Sequence, residues 1–285
     1  MKKKAKKFFR WLGIVASSLV VLAAGAVVLI YQAAERELAK RYTVNETMSM
    51  LRPTDTNEVA EGRRLARLTG CTHCHGENLG GAVPFDIPNV VRIVAPDLTA
   101  ILPQYSDAQL VGLLRRGVKR DGSGTWFMPA QMHRHLHDED LTRIIAWIRL
   151  MPITEGVTGQ TQLRPIGRLM VAKGEIRSSA EEILRLDRAG DARVPPGRGA
   201  YLVMNLCSEC HGQNLEGRPE ALAAPAPALA VVKAYSLEAF AQLMHDGTGA
   251  GGRTSELMTQ AALARFTYLT ADEVAAMYEF LRTRG

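Results

Sequence analysis

The sequence predicts an all-α chain in which two repeated helical units stand in tandem behind an N-terminal membrane-spanning helix. Three observations predict it. An uncharged apolar stretch fills residues 11–34. Amphipathic helical spacing recurs in the same order in each half, and no strand pattern of any length interrupts it. The pentapeptide Cys-x-x-Cys-His occurs twice, as Cys71-Thr72-His73-Cys74-His75 and as Cys207-Ser208-Glu209-Cys210-His211.

The N-terminal element comes first. Lys2, Lys3, Lys4, Lys6, Lys7 and Arg10 precede 24 uncharged residues from Trp11 to Ala34, long enough to cross a hydrocarbon core of about 30 Å as a helix. A cleaved signal peptide would keep its apolar region to about 7–15 residues. Here it runs unbroken from Trp11 to Ile30, so residues 1–34 read as a retained anchor with the cations in the cytoplasm and the remainder outside. Those six cations account for the whole net charge of +6, leaving 29 Lys and Arg against 29 Asp and Glu. The external part is formally neutral, and nucleic acid is not an implied partner.

After a linker at 35–55, the first unit occupies 56–152. A helix at 58–69, apolar through Val59, Leu65, Ala66 and Leu68, leads into Cys71. A second helix at 107–118 has Ser106 as its cap. A closing helix at 138–150 carries Leu141, Ile144, Ile145 and Ile148 on one stripe, with Pro152 just beyond. Residues 153–194 form a connector rich in charge and glycine, with one helix at 179–187, ending at Pro195-Pro196-Gly197. Its composition suits either a loose tether or a packed bridge. The second unit, 195–285, repeats the pattern with helices at 199–206, at 237–244 after Ser236, and at 271–282 after Thr270.

The two motifs carry the chemistry. All four cysteines of the chain lie in them. Two thiols at this spacing can add across the two vinyl groups of one haem, and the adjacent imidazole can then coordinate the iron. A thioredoxin-like site would need a preceding strand in a βαβ pattern. A zinc ribbon would need its two knuckles about 15–20 residues apart, whereas these lie 136 apart. A disulfide within each motif would leave the following His without a role. The expectation is therefore two covalent haem c groups, bound through Cys71, Cys74, Cys207 and Cys210, with His75 and His211 as iron ligands.

A thioether is a common sixth ligand where a high potential is needed. The candidates are Met128, 53 residues past His75, and Met258, 47 past His211. Both are expected in the loop before the closing helix. Met132 and Met244 compete with them, Met244 less well because it sits in an apolar helix stripe. Pro129 restrains the loop behind Met128. The run His133, His135, His137 reads as a solvated loop leading into the acidic helix start at Asp138, Glu139 and Asp140, and His245 as a helix-end residue. The glycines at 247–252 match a phosphate loop in composition only and read as a flexible loop ahead of Met258.

On these residues the chain resembles the membrane-anchored dihaem cytochromes c built from two class I cytochrome c domains, over about 56–152 and 195–285. Gly62 and Gly199 resemble the glycines that let the first helix cross the last, and Trp147 and Phe280 the aromatic residues at that crossing. The Met128-Pro129 pair with its acidic helix start is similar to domains in cytochrome subunits of periplasmic dehydrogenases. Pro96-Asp97-Leu98 and Pro227-Ala228-Leu229 resemble the segment whose carbonyl orients the ligand imidazole. Their spacing from the motifs is irregular, which keeps them out of the site set.

The resemblance implies an all-α fold and one-electron transfer without chemistry on a small-molecule substrate. It implies a quinol-oxidising complex or a periplasmic dehydrogenase as donor and a soluble cytochrome or terminal oxidase as acceptor. The expected location is the bacterial inner membrane, single-pass, with the haem domains periplasmic. The alternative is a dihaem enzyme, peroxidase-like, with one exchangeable iron ligand, encouraged by the histidine run.

Overall fold

The computed structural model describes residues 2–44, 55–190, 196–218 and 225–284. Residues 45–54 of the expected linker, and residues 191–194 with Pro195 at the connector's end, lie outside the described residues. Helix α1 (Lys2–Leu38) contains, in Lys6–Leu38, the one segment among the described residues long and apolar enough to cross a membrane, and its apolar window is unburied. At about 1.5 Å per residue it is longer than a hydrocarbon core of about 30 Å requires. Its last turns pack instead on protein: Ala34 is fully buried against Val171 and Ile176, and the Arg168 guanidinium lies 4.8 Å over the Tyr31 ring while pairing with Glu35.

The first unit comprises α2 (Thr56–Leu68), α3 (Cys71–His75), strands β1 (Ala82–Ile87) and β2 (Val91–Ala95), α4 (Leu98–Ile101), α5 (Asp107–Arg116), α6 (Ala130–His133) and α7 (Asp138–Arg149). Asp55 caps α2 by accepting from the Asn57 N–H at 2.7 Å. Ser106 and Gln109 form a reciprocal capping box on α5, which ends at Gly117 in the left-handed region. Three carboxylates in the first turn of α7 complement its dipole. Leu141, Ile144 and Ile145 of α7 are almost wholly removed from water, each burial contributing about 1.5–3 kcal/mol.

The hairpin β1–β2 corrects the all-α expectation. Val90, Val91, Ile93 and Val94 favour an extended, half-buried surface. Pro88 and Asn89 turn the chain, the Val90 N–H donating to the Ile87 carbonyl at 3.1 Å with Asn89 at φ 61°, the pattern of a type II turn. A third strand, β3 (Gln162–Leu163), pairs with β2 to give an antiparallel order β1-β2-β3. The connector is thus packed onto the first unit. It continues through α8 (Pro165–Ala172), which lies on α1, and α9 (Ser179–Arg188), which lies on α5 and α6. The Ser179 N–H donates to the Thr125 carbonyl at 2.9 Å, and Ser178 shares a hydrogen bond of 3.1 Å with Tyr42 just beyond α1.

The second unit comprises α10 (Arg198–Leu206), α11 (Ser208–His211), α12 (Leu237–Asp246), strands β4 (Thr248–Gly249) and β5 (Arg253–Thr254), α13 (Glu256–Ala264) and α14 (Ala271–Thr283). The glycine run expected to be a flexible loop instead forms a small β4–β5 ribbon. Helix α13 stands where a loop was expected, its Thr259 packed so closely on Gly247 that a Cβ there would come within 2.4 Å of it.

The two units share one apolar core, to which α2, α5 and α7 contribute from one side and α10, α12 and α14 from the other. Polar groups lock the seam. The Tyr201 hydroxyl donates to Asp140 at 2.6 Å while its ring stacks on His137, centroids 4.0 Å apart. Arg64 donates to Glu273 at 2.8 Å and to the Tyr268 carbonyl at 2.8 Å, and Arg198 closes on the same carboxylate at 2.5 Å.

Candidate functional site

Each motif folds as a single helical turn, which places its two thiols on one side of the turn and its histidine at the end. Gly70 enters the first turn at φ 88° and Gly76 leaves it at φ 78°; Gly212 leaves the second at φ 82°. All four cysteines are free thiols. Burial pushes Cys207 up to about 12 and Cys74 up to about 11, and raises Cys71 and Cys210. They stay protonated at neutral pH, unlike redox-active Cys-x-x-Cys pairs, which depend on a thiolate.

The histidines are held in one way in both units. His75 Nδ1 lies 2.9 Å from the Pro96 carbonyl, and His211 Nδ1 lies 2.7 Å from the Pro227 carbonyl. With its Nδ1–H donated, each ring keeps the Nε2 lone pair free for a metal and is fixed in orientation. Burial lowers both histidines, the proline carbonyls opposing it only partly, so both remain neutral and able to ligate. This donor set, two thiols beside an oriented neutral imidazole, fits covalent haem.

The loop behind each histidine repeats residue for residue. Gly81 N–H donates to the His75 carbonyl at 2.8 Å, and Gly217 N–H to the His211 carbonyl at 2.9 Å. Leu79 and Leu215 both stand at φ 59°, and each carbonyl accepts from the first residue of a short helix, Leu98 at 2.8 Å and Leu229 at 2.9 Å. Sequence spacing hid this match because His75 to Pro96 spans 21 residues and His211 to Pro227 spans 16. The β1–β2 hairpin supplies the longer path in the first unit. The units then diverge at the next residue: Asp97 accepts from Thr99, from Thr154 at 3.2 Å and from the Gly156 N–H at 3.1 Å, tying in the start of the connector, where the second unit has Ala228.

The helix crossings behind both motifs match the expectation. A Cβ on Gly62 would lie 2.0 Å from the Arg143 carbonyl oxygen, and one on Gly199 would lie 2.0 Å from that of Ala276 and 3.0 Å from the Phe280 Cβ. Trp147 is buried in the same core.

Met128 sits half-buried in a loop after Phe127, which adopts φ 65°. Its carbonyl accepts from Ala130 N–H at 2.9 Å and from the Ser179 hydroxyl of the connector. Met258 is half-buried too, but it rides on α13 and not in a loop, and it packs against the apolar core that Cys71 and Cys207 also touch. The competing methionines are core residues: Met132 is fully buried and Met244 is 4% exposed.

The histidine run does not form a solvated loop. Helix α6 turns His133 inward, where it is 5% exposed with Nε2 3.3 Å from the Thr69 carbonyl, and burial pushes it down to about 4. His135 meets Arg134 at 2.9 Å and the exposed His137 stacks on Tyr201. The three side chains go to three different places. Among the described residues no group of three or more His, Cys, Asp and Glu could hold a metal ion. His245 is an exposed helix-end residue, as expected.

A family model described as cytochrome c matches residues 59–152 and again residues 197–285, together more than half of the chain. No curated protein matches it.

Proposed function

Since the chain belongs to the cytochrome c family and carries two domains of it, whose function is haem-based electron transfer, we propose that it is a membrane-anchored dihaem relay that passes single electrons between redox proteins. The haem iron, when bound, supplies a one-electron ferric–ferrous couple. In the layout we propose, residues 1–34 anchor the chain, 35–55 link, 56–152 and 195–285 hold one haem each, and 153–194 connect them. Cys71 and Cys74 hold the first group and Cys207 and Cys210 the second, through thioethers. His75 and His211 would ligate the two irons through Nε2, with Met128 and Met258 as the further ligands.

The observation that carries this reading is the repeated Nδ1-to-carbonyl contact at His75 and His211. It fixes the tautomer and orientation of each imidazole, while burial keeps the ring neutral. The apolar core shared by both units packs against Cys71 and Cys207 and so holds one side of each attachment turn in place.

The proposed setting is the bacterial inner membrane with the haem domains periplasmic. There the anchor raises the local concentration of the carrier near membrane complexes. The donor is a quinol-oxidising complex or a periplasmic dehydrogenase, and the acceptor a soluble cytochrome or terminal oxidase. The peroxidase-like alternative drew on the histidine run, and with those side chains directed to three separate partners it loses that support.

The test is a spectroelectrochemical titration of the detergent-purified protein with haem quantified per chain. Two low-spin haems at positive potentials are expected. Replacing Met128 or Met258 with His should lower the potential of one haem each; an unchanged potential would remove that methionine from the ligand set.

A further inference from the structure

The two attachment turns are joined through one buried guanidinium. Arg265, at the end of α13, is 9% exposed. Its Nε donates to the carbonyl of Leu68 at 3.1 Å, three residues before Cys71. Its side chain runs 3.3 Å from where a Cβ on Gly70 would stand. Its Nη1 faces Glu209, between Cys207 and Cys210, at 3.4 Å. Its Nη2 is buried without a hydrogen-bond partner. The guanidinium therefore touches the second haem-binding peptide and the residues that lead into the first, reaching from the second unit to the helix that delivers the first motif.

The charge balance at this point is incomplete. Among the described residues Glu209 is the one carboxylate paired with Arg265; its side chain is 36% exposed, and its contact is long for a charge-assisted hydrogen bond. A buried cation so weakly compensated favours any nearby group that gains an electron. Reduction would add one negative charge to a haem held by either motif, and Arg265 contacts the approach to one motif and the inside of the other.

We propose that Arg265 is a shared electrostatic control that raises the reduction potentials of both haems, with Glu209 setting how much of its charge is felt. The proposal rests on the dihaem reading above.

The experiment measures both midpoint potentials of the full-length, detergent-purified protein, with haem per chain determined on the same sample. In Arg265→Gln both potentials should shift downward, and in Arg265→Lys, which keeps the charge, they should stay nearer the parent values. In Glu209→Gln both should shift upward. Two haems per chain with one potential moved, or neither, would overturn the role of Arg265. A single haem per chain would overturn the dihaem reading and the proposal with it. Should Arg265→Gln fail to fold, Glu209→Gln decides alone: its carboxylate is partly solvated, and a shift in both potentials supports the control whereas a shift in one or none ends it.

Discussion

At the scale of single residues, the two helix crossings set the tightest requirement. A methyl group at Gly62 or Gly199 would have to share space with a backbone carbonyl 2.0 Å away, and no rotamer relieves that contact. Gly62→Ala or Gly199→Ala should therefore cost at least about 1–3 kcal/mol, read as a lower melting temperature of the haem-loaded protein. A melting point equal to the parent's would show that the crossing can open without loss. Both glycines were legible in the sequence through the family resemblance, which implied the crossing they sit at. Leu79 and Leu215 were not: a leucine in the left-handed region carries no compositional signal, and only the folded loop explains why each stands there. His133 was misread for a related reason. Alternation with polar neighbours suggests a solvated loop, but one short turn of helix after Pro129 points its ring inward.

At the scale of elements, the longer amphipathic helices were legible whether capped, like α5, or uncapped, like α7. Ser106, Ser236 and Thr270 each accept a backbone N–H three residues on, and each marked its helix in the sequence. Helix α13 follows Ser255, whose side chain makes no cap, and its apolar residues are too evenly spread to give a stripe. The hairpin was missed because Pro84 and Pro88 break its run of β-formers. Its turn can be tested directly. Asn89 stands at φ 61°, so Asn89→Gly should leave stability nearly unchanged, whereas Asn89→Val should cost about 1–2 kcal/mol through the left-handed penalty. Chemical denaturation midpoints distinguish the two, and equal midpoints would mean that the turn relaxes freely.

At the scale of the whole molecule, the seam between the units carries a pH dependence. Burial alone would raise the Glu273 carboxyl, but hydrogen bonds from Arg64, the Thr270 N–H and Arg198 hold it at about 2, against an ordinary 4.5. The folded value lies below the unfolded one, so its contribution is complete above about pH 4.5 and is lost as pH falls toward 2. Between those limits the seam should loosen, seen as a broadened distance distribution between spin labels on α5 and α12. Glu273→Gln should loosen it at neutral pH and flatten the acid response; an acid transition unchanged in that variant would place its cause elsewhere. The docking of the units was itself beyond the sequence. Composition allowed a free tether, and the choice was made by contacts more than 200 residues apart in the chain, such as Arg64 with Glu273.

The facing of the two motifs around Arg265 also bears on how the protein is made. Covalent attachment needs an assembly enzyme to reach both thiols of each motif, and in the closed molecule Cys71 and Cys207 are packed against the common core. The expected order is therefore haem attachment first, while the two units are still apart, and formation of the seam afterwards. Haem content should thus be insensitive to changes at the seam, while a chain that docks its halves too early would be trapped in a compact, colourless form.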